Sequence, residues 1–149
     1  MGIQDILDEF GDQNNQSQKF KKESEERLET MKKQAVNFIQ EKVNIAFTKL
    51  QEEFKNSGKD REAIIESTEL ESLLTIVHQG KEEYKYKVSM AVTKFAFKPI
   101  CINYCRDKNG KLVEEPRGTL LSTMYPNMMS EANIRNDFYR QYKEYLSNR

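Results

Sequence analysis

Residues 84–92 read Tyr84-Lys85-Tyr86-Lys87-Val88-Ser89-Met90-Ala91-Val92, and their two-residue alternation decides the fold class. Tyr84, Tyr86, Val88, Met90 and Val92 share one face, while Lys85, Lys87, Ser89 and Ala91 share the other. That is the pattern of a strand with one buried side. The phase then slips: Lys94 stands where an apolar residue is due, and Phe95 and Phe97 continue on the opposite parity. One inserted residue turns every later side chain to the other face, so a bulge or break is expected near Thr93-Lys94 within a strand segment 83–98. Downstream, residues 100–106 and 111–115 flank Asp107-Lys108-Asn109-Gly110. Asn-Gly between such runs predicts a hairpin. A four-residue loop places Tyr104 opposite Val113 and Cys105 opposite Leu112, and Pro116 ends the last strand.

Upstream of the strands the period lengthens. Residues 19–56 contain no Gly or Pro and predict one long helix. Its apolar residues repeat at eleven-residue steps (Leu28, Ile39, Leu50; Ala35, Ala46; Val36, Phe47), the period of a straight helix and not of a left-handed coiled-coil seam. Between 35 and 47 the apolar arc spans about 200°, wide enough to face more than one neighbour. The charged turns from Lys19 to Arg27 are expected to project, and Gly58 suits a left-handed cap. Residues 60–79 are read as a second helix, with a capping box from Thr68 to Glu71, an apolar set Leu70, Leu73, Leu74, Ile76 and Val77, and Gly80 at its end. Residues 117–129 read as a loop. Ser130 is expected to cap a final helix, 131–146, whose face is Ile134, Phe138, Tyr142, Tyr145 and Leu146.

The order predicts an α+β fold: a long N-terminal helix and a second helix, then a three-stranded antiparallel meander, then a C-terminal helix packed on the sheet. Residues 19–149 form one domain. Ahead of it, Ile3, Ile6, Leu7 and Phe10 fall on one helical face of a short amphipathic motif. Gly11 to Gln18 is wholly polar and reads as a flexible connection. A short apolar-faced helix on a polar tether has the form of a helix-in-groove ligand, and folding back onto its own domain is the other reading. These four residues are the candidate partner-binding set.

Bulk properties narrow the function classes. The chain has 149 residues, 37% hydrophobic and 32% charged, with no net charge. The neutrality hides an asymmetry: residues 1–80 carry 11 basic and 16 acidic side chains, and residues 81–111 carry 8 basic and 3 acidic. No apolar run of about 18 residues is present, so no membrane span is expected. The acidic start lacks the basic region of a secretory signal. Cys101 and Cys105 on one strand would stand about 13 Å apart, too far for a disulfide, which points to a reducing, cytoplasmic setting.

Catalytic signals are poor. His78 is the only histidine and is read as capping the second helix. With two cysteines it falls short of zinc-site spacing, no Gly-rich phosphate loop occurs, and no cofactor, metal or catalytic residue is assigned. A cryptic enzyme site in the 117–130 loop is the weakest possibility. Lys85, Lys87, Lys94 and Lys98, with aromatics between them, are the candidate contacts for an anion or nucleic acid. Alternation, however, turns Tyr84 and Tyr86 away from Lys85 and Lys87. The favoured expectation is a non-catalytic protein-protein interaction or assembly protein (an adaptor, accessory or inhibitor subunit) that uses the long helix and the N-terminal motif to contact a protein partner or to form a homo-oligomer. The alternative is a nucleic-acid-associated protein using the basic strand region 84–111.

Overall fold

Ala35, Phe38, Ile39, Val43, Ala46, Phe47 and Leu50 recur every one to four residues and are all buried. Such a stripe can be satisfied only against another apolar layer. That layer is a five-stranded antiparallel sheet with strand order β1-β2-β3-β4-β5. The structure, a computed structural model, describes residues 2–115 and 125–148, with residues 6–18 described by their backbone alone.

The stripe belongs to one continuous helical rod. It comprises α1 (Ile3–Phe38), a π-helical turn (Ile39–Val43) and α2 (Asn44–Asn56). The backbone of residues 11–18, where polar composition suggested a flexible connection, belongs to α1. In the wide turn the Asn44 N–H donates to the Ile39 carbonyl. Val43 stays in the core, and the Asn44 amide reaches the sheet: it accepts from Ser72 Oγ at 2.6 Å and donates to Ser67 Oγ at 3.1 Å. Gly58, at φ +66, ends the rod in the left-handed region, as the sequence predicts.

The segment 60–79 corrects the expected second helix. It is a hairpin, β1 (Arg61–Ser67) and β2 (Glu71–His78), paired from Arg61↔His78 to Ser67↔Ser72. Leu70, Leu73, Leu74 and Val77 do fit helical spacing. β2, however, lies inside the sheet with apolar residues on both faces, which erases the alternation that marks a half-exposed strand. The Thr68–Glu71 pair closes the turn by backbone and hydroxyl bonds to the Glu71 carbonyl. His78 is not at a helix end. It ends β2, its Nδ1 2.6 Å from the Asp60 carbonyl. Gln79 (φ 54) and Gly80 (φ 77) form the two-residue turn into β3, both in the left-handed region as a type I′ hairpin requires.

β3 (Lys81–Val92) is followed by β4 (Phe97–Arg106) and β5 (Leu112–Glu115), so the sheet has five strands where three were expected. The phase slip at Thr93-Lys94 is a full reversal of the chain. Val92 pairs with Phe97, and Thr93 Oγ1 accepts from the Phe95 and Ala96 N–H groups. The irregularity in β3 lies earlier: Ile76 pairs with Tyr84 but Val77 with Glu82, leaving Glu83 as the extra residue. Glu83 is buried, and Arg61 Nε lies 3.3 Å from its carboxylate. The β4–β5 register is one residue from the expected one, with Cys105 opposite Val113. The loop takes five residues because Asp107 Oδ1 accepts from both Asn109 and Lys111 N–H groups while Gly110 adopts φ +79.

α3 (Glu131–Ser147) begins at Ser130, whose hydroxyl accepts from the Asn133 N–H. It packs beside α2 on the same face of the sheet. Phe138 meets Tyr86 at 5.6 Å, Phe54 at 6.2 Å and Tyr84 at 6.0 Å between ring centroids, and Phe47 meets Tyr86 at 5.8 Å. Lys49 bonds Glu131 at 2.7 Å, and the Tyr139 hydroxyl donates to the Glu53 carboxylate, tying the two helices at the surface. The wide arc of the long helix is therefore covered by the sheet and α3. On the other face of the sheet, Ile64 and Ile100 are exposed. Residues 117–124 of the predicted loop lie outside the described residues. Pro126–Met128 forms a 3-10 turn held by Lys42, and Met129 is buried.

Phe138 is the hub of this packing, so Phe138→Ala is expected to lower stability by about 3–5 kcal/mol. Phe95→Ala, at a 72% exposed turn position, should change it by less than about 0.5 kcal/mol. Urea denaturation of both variants checks the contrast.

Candidate functional site

The residues singled out by sequence fall in three places. Ile3 is exposed near the start of α1; the side chains of Ile6, Leu7 and Phe10 lie outside the described residues. Lys85, Lys87 and Lys98 stand on the face of the sheet opposite the helices, in register with Tyr104, Ile102 and Ala91. Lys85 is 3.1 Å from Glu82 and Lys87 is 3.5 Å from Glu71. Glu62, Glu66 and Glu114 share that face through their pairing with Val77, Leu73 and Tyr104. Lys94 is at the β3–β4 turn, its ammonium over the rings of Phe95 and Phe20. Charge on the face is thus mixed. The excess of lysine along the β3–β4 sequence is met in space by carboxylates of β1, β2 and β5. Cys101 and Cys105 lie on the helix-facing side of β4, opposite Val88 and Tyr84, and are not joined by a disulfide.

A site that sequence spacing does not reveal lies between the sheet and α3. Tyr86 and Asn103 are direct partners across β3 and β4. Asp137 and Gln141, four apart on α3, share a helix face. The Tyr86 hydroxyl donates to Asp137 Oδ2 at 2.6 Å, and Asn103 Nδ2 donates to Gln141 Oε1 at 2.9 Å. Two polar rungs therefore cross an otherwise apolar interface side by side. Arg140 reaches the other Asp137 oxygen at 3.2 Å. Burial pushes the Tyr86 phenol well above its ordinary pKa, with Cys101 and Asp137 adding to the shift, so it remains a donor.

Beyond the second rung a cleft of about 500 Å³ opens between the end of β4, the tip of β5 and the C-terminal turns of α3. Tyr84 and Asn103 form its inner wall, and Lys108, Glu115 and Asn148 stand at its rim. Tyr84 is 0% and Asn103 3% exposed, yet Tyr84 Oη and Asn103 Oδ1 meet no hydrogen-bond partner among the described residues. Burial also drives the Tyr84 phenol far above its usual range, reinforced by Cys105 and Cys101. It too stays protonated. Among the described residues no cluster of His, Cys, Asp and Glu forms a metal site.

The two tyrosines differ in what their hydroxyls do, and this gives opposite expectations for one substitution. Tyr86→Phe strips a donor from a buried carboxylate and should destabilise the protein by about 1–3 kcal/mol. Tyr84→Phe removes a hydroxyl with no hydrogen-bond partner among the described residues and should leave stability unchanged or raise it by up to about 1 kcal/mol. Chemical denaturation with a constant denaturant slope distinguishes the two; a larger loss for Tyr84→Phe would show that its hydroxyl is structurally satisfied.

No protein family model, curated protein or solved structure matches the chain.

Proposed function

We propose that the protein is a non-catalytic, cytoplasmic interaction or assembly protein whose docking element is the N-terminal part of its long helix. One observation carries this reading: the helix enters the core only at Ala35, yet it begins at Ile3. At ~1.5 Å per residue the preceding part extends about 48 Å. From Lys19 to Thr30 every residue but Ser24 is exposed, and Phe20 and Leu28 are 65% and 43% exposed. Most helical stability comes from packing an apolar face, and a helix without that packing is marginal in water. A partner surface would supply what the stalk lacks.

The charge order favours a second copy as that partner. Lys19, Lys21 and Lys22 precede Glu23, Glu25, Glu26 and Glu29. Two stalks laid antiparallel bring the basic turn of each against the acidic turns of the other, a self-complementary contact of the kind a two-fold dimer requires. The nucleic-acid alternative draws less support, because Lys85 and Lys87 already face Glu82 and Glu71. No helix among the described residues is long and apolar enough to cross a membrane.

Light scattering coupled to size-exclusion chromatography tests the reading. The full chain is expected at the mass of an assembly. A chain starting at Met31, which keeps every buried helix residue, should be a monomer of unchanged melting temperature, and Phe20→Ser with Leu28→Ser in the full chain should weaken assembly. Equal masses for the full and shortened chains would defeat the proposal. A 260 nm absorbance that salt removes would favour the nucleic-acid alternative.

A further inference from the structure

We propose that the open edge of the sheet along β1 binds an extended peptide as a sixth strand, one whose outward face carries a basic residue on either side of an apolar one. β1 (Arg61–Ser67) stands at the end of the strand order and pairs only with β2. Half of its backbone N–H and C=O groups therefore point away from β2, where no strand meets them among the described residues. At seven residues it is the longer of the two edges, since β5 has four. A long open edge is the template on which peptide-binding sheets add a strand. Beside it runs a groove of about 630 Å³, with Gln51, Glu52 and Lys55 of α2 on one wall and Arg61 and Ala63 on the other. The walls are close: Gln51 Nε2 donates to the Ala63 carbonyl at 2.9 Å. A strand added here turns every second side chain toward α2 and the others outward.

The outward side chains choose the occupant. Glu62, Ile64 and Glu66 alternate on the face of β1 turned away from the helices, and all three are exposed, Ile64 at 39%. Their neighbours in β2 are Val77, Thr75 and Leu73, and neither glutamate is in an ion pair among the described residues. Lysine or arginine opposite each glutamate, with valine or isoleucine opposite Ile64, completes two cross-strand ion pairs and one apolar pair. Glu-Ile-Glu reads the same in both directions, so a parallel or an antiparallel strand can meet it. A second copy fits poorly: β1 laid antiparallel on itself about Ile64 sets Glu62 against Glu66, and like charges directly opposite repel. Toward α2 the groove holds Glu52 and Lys55 together, which suits uncharged polar side chains. No residue of the stalk takes part, so this site stands or falls independently of assembly.

Nitrogen-15 chemical-shift titration of the full chain tests the assignment with the peptide Thr-Lys-Thr-Val-Thr-Lys-Thr, blocked at both ends. Saturable shifts are expected at residues 48–55 and 61–67. The same peptide with glutamate in place of lysine should bind about tenfold more weakly, as two attractive pairs become repulsive. Prolines in place of valine and the threonine after it should abolish binding, because they remove a backbone donor of either parity. The full chain carrying Glu62→Lys and Glu66→Lys, both at exposed positions, should keep its melting temperature and prefer the glutamate peptide. Absent shifts, shifts elsewhere, or an unchanged preference in the charge-reversed chain would overturn the proposal. Shifts at 61–67 that grow with protein concentration in the absence of peptide would give the edge to a second copy and overturn it as well.

Discussion

A carboxylate with 2% exposure, Asp137, lies between the C-terminal helix and the central strand. Such a charge is tolerated only when paired and hydrogen-bonded. Tyr86 supplies one bond and Arg140 another. Because Tyr86 projects from the middle strand and Asp137 from the middle of α3, the pair sets how far along the sheet the helix can slide. One helical turn on, Gln141 then falls opposite Asn103, the strand partner of Tyr86. Moving α3 by a turn would break both rungs, which join four buried side chains. The aromatic packing around Phe138 gives this interface its strength; the two polar rungs give it its register.

Much of this layout was legible in the sequence, and the failures have a common cause. The alternation over 84–92 identified β3 and placed Tyr84, Tyr86, Val88 and Met90 in the core, where they are buried. Ser130 and Gly58 marked helix ends because capping is local chemistry. The segment 60–79 was misread because a strand inside a sheet keeps apolar residues on both sides. Leu73 and Val77 face away from the helices, whereas Leu74 and Ile76 face them, and together they imitate a helical stripe. The signal that distinguishes the two readings was the run of β-branched residues Ile64, Ile65, Thr75, Ile76 and Val77. Gln79-Gly80 concealed a hairpin turn behind what looked like a helix stop. The cleft could not be read at all. Tyr84, Asn103 and Gln141 are brought together by strand register and helix docking, and no spacing in the chain announces that.

The long helix changes character along its length. From Ala35 to Phe54 it is a core element, its wide apolar arc divided between the sheet and α3. Before Ala35 it is a charged rod with isolated apolar residues. The π-helical turn lies just inside the boundary, and through Asn44 it anchors the core half to the β1–β2 hairpin by Ser67 and Ser72. The rod is thereby held to the body by hydrogen bonds as well as by packing, and it meets the body again at Phe20, whose ring lies under the Lys94 ammonium.

The sheet runs in sequence order, so each strand pairs with the strand just before or after it. Chain entropy lost in closing short loops is small and grows slowly with loop length, and topologies built from neighbouring pairings fold fast. The helices are different. Lys49 meets Glu131 across 82 residues, and Glu53 meets Tyr139 across 86. The meander can therefore form from local pairings alone, while the buried side of its aromatic face waits for two helices that come from opposite ends of the domain. During synthesis the long helix emerges before the sheet and α3 after it. Until α3 has emerged, Tyr86 is met by Phe47 but not by Phe138, and Tyr84 lacks the rings of Phe138, Tyr142 and Tyr145.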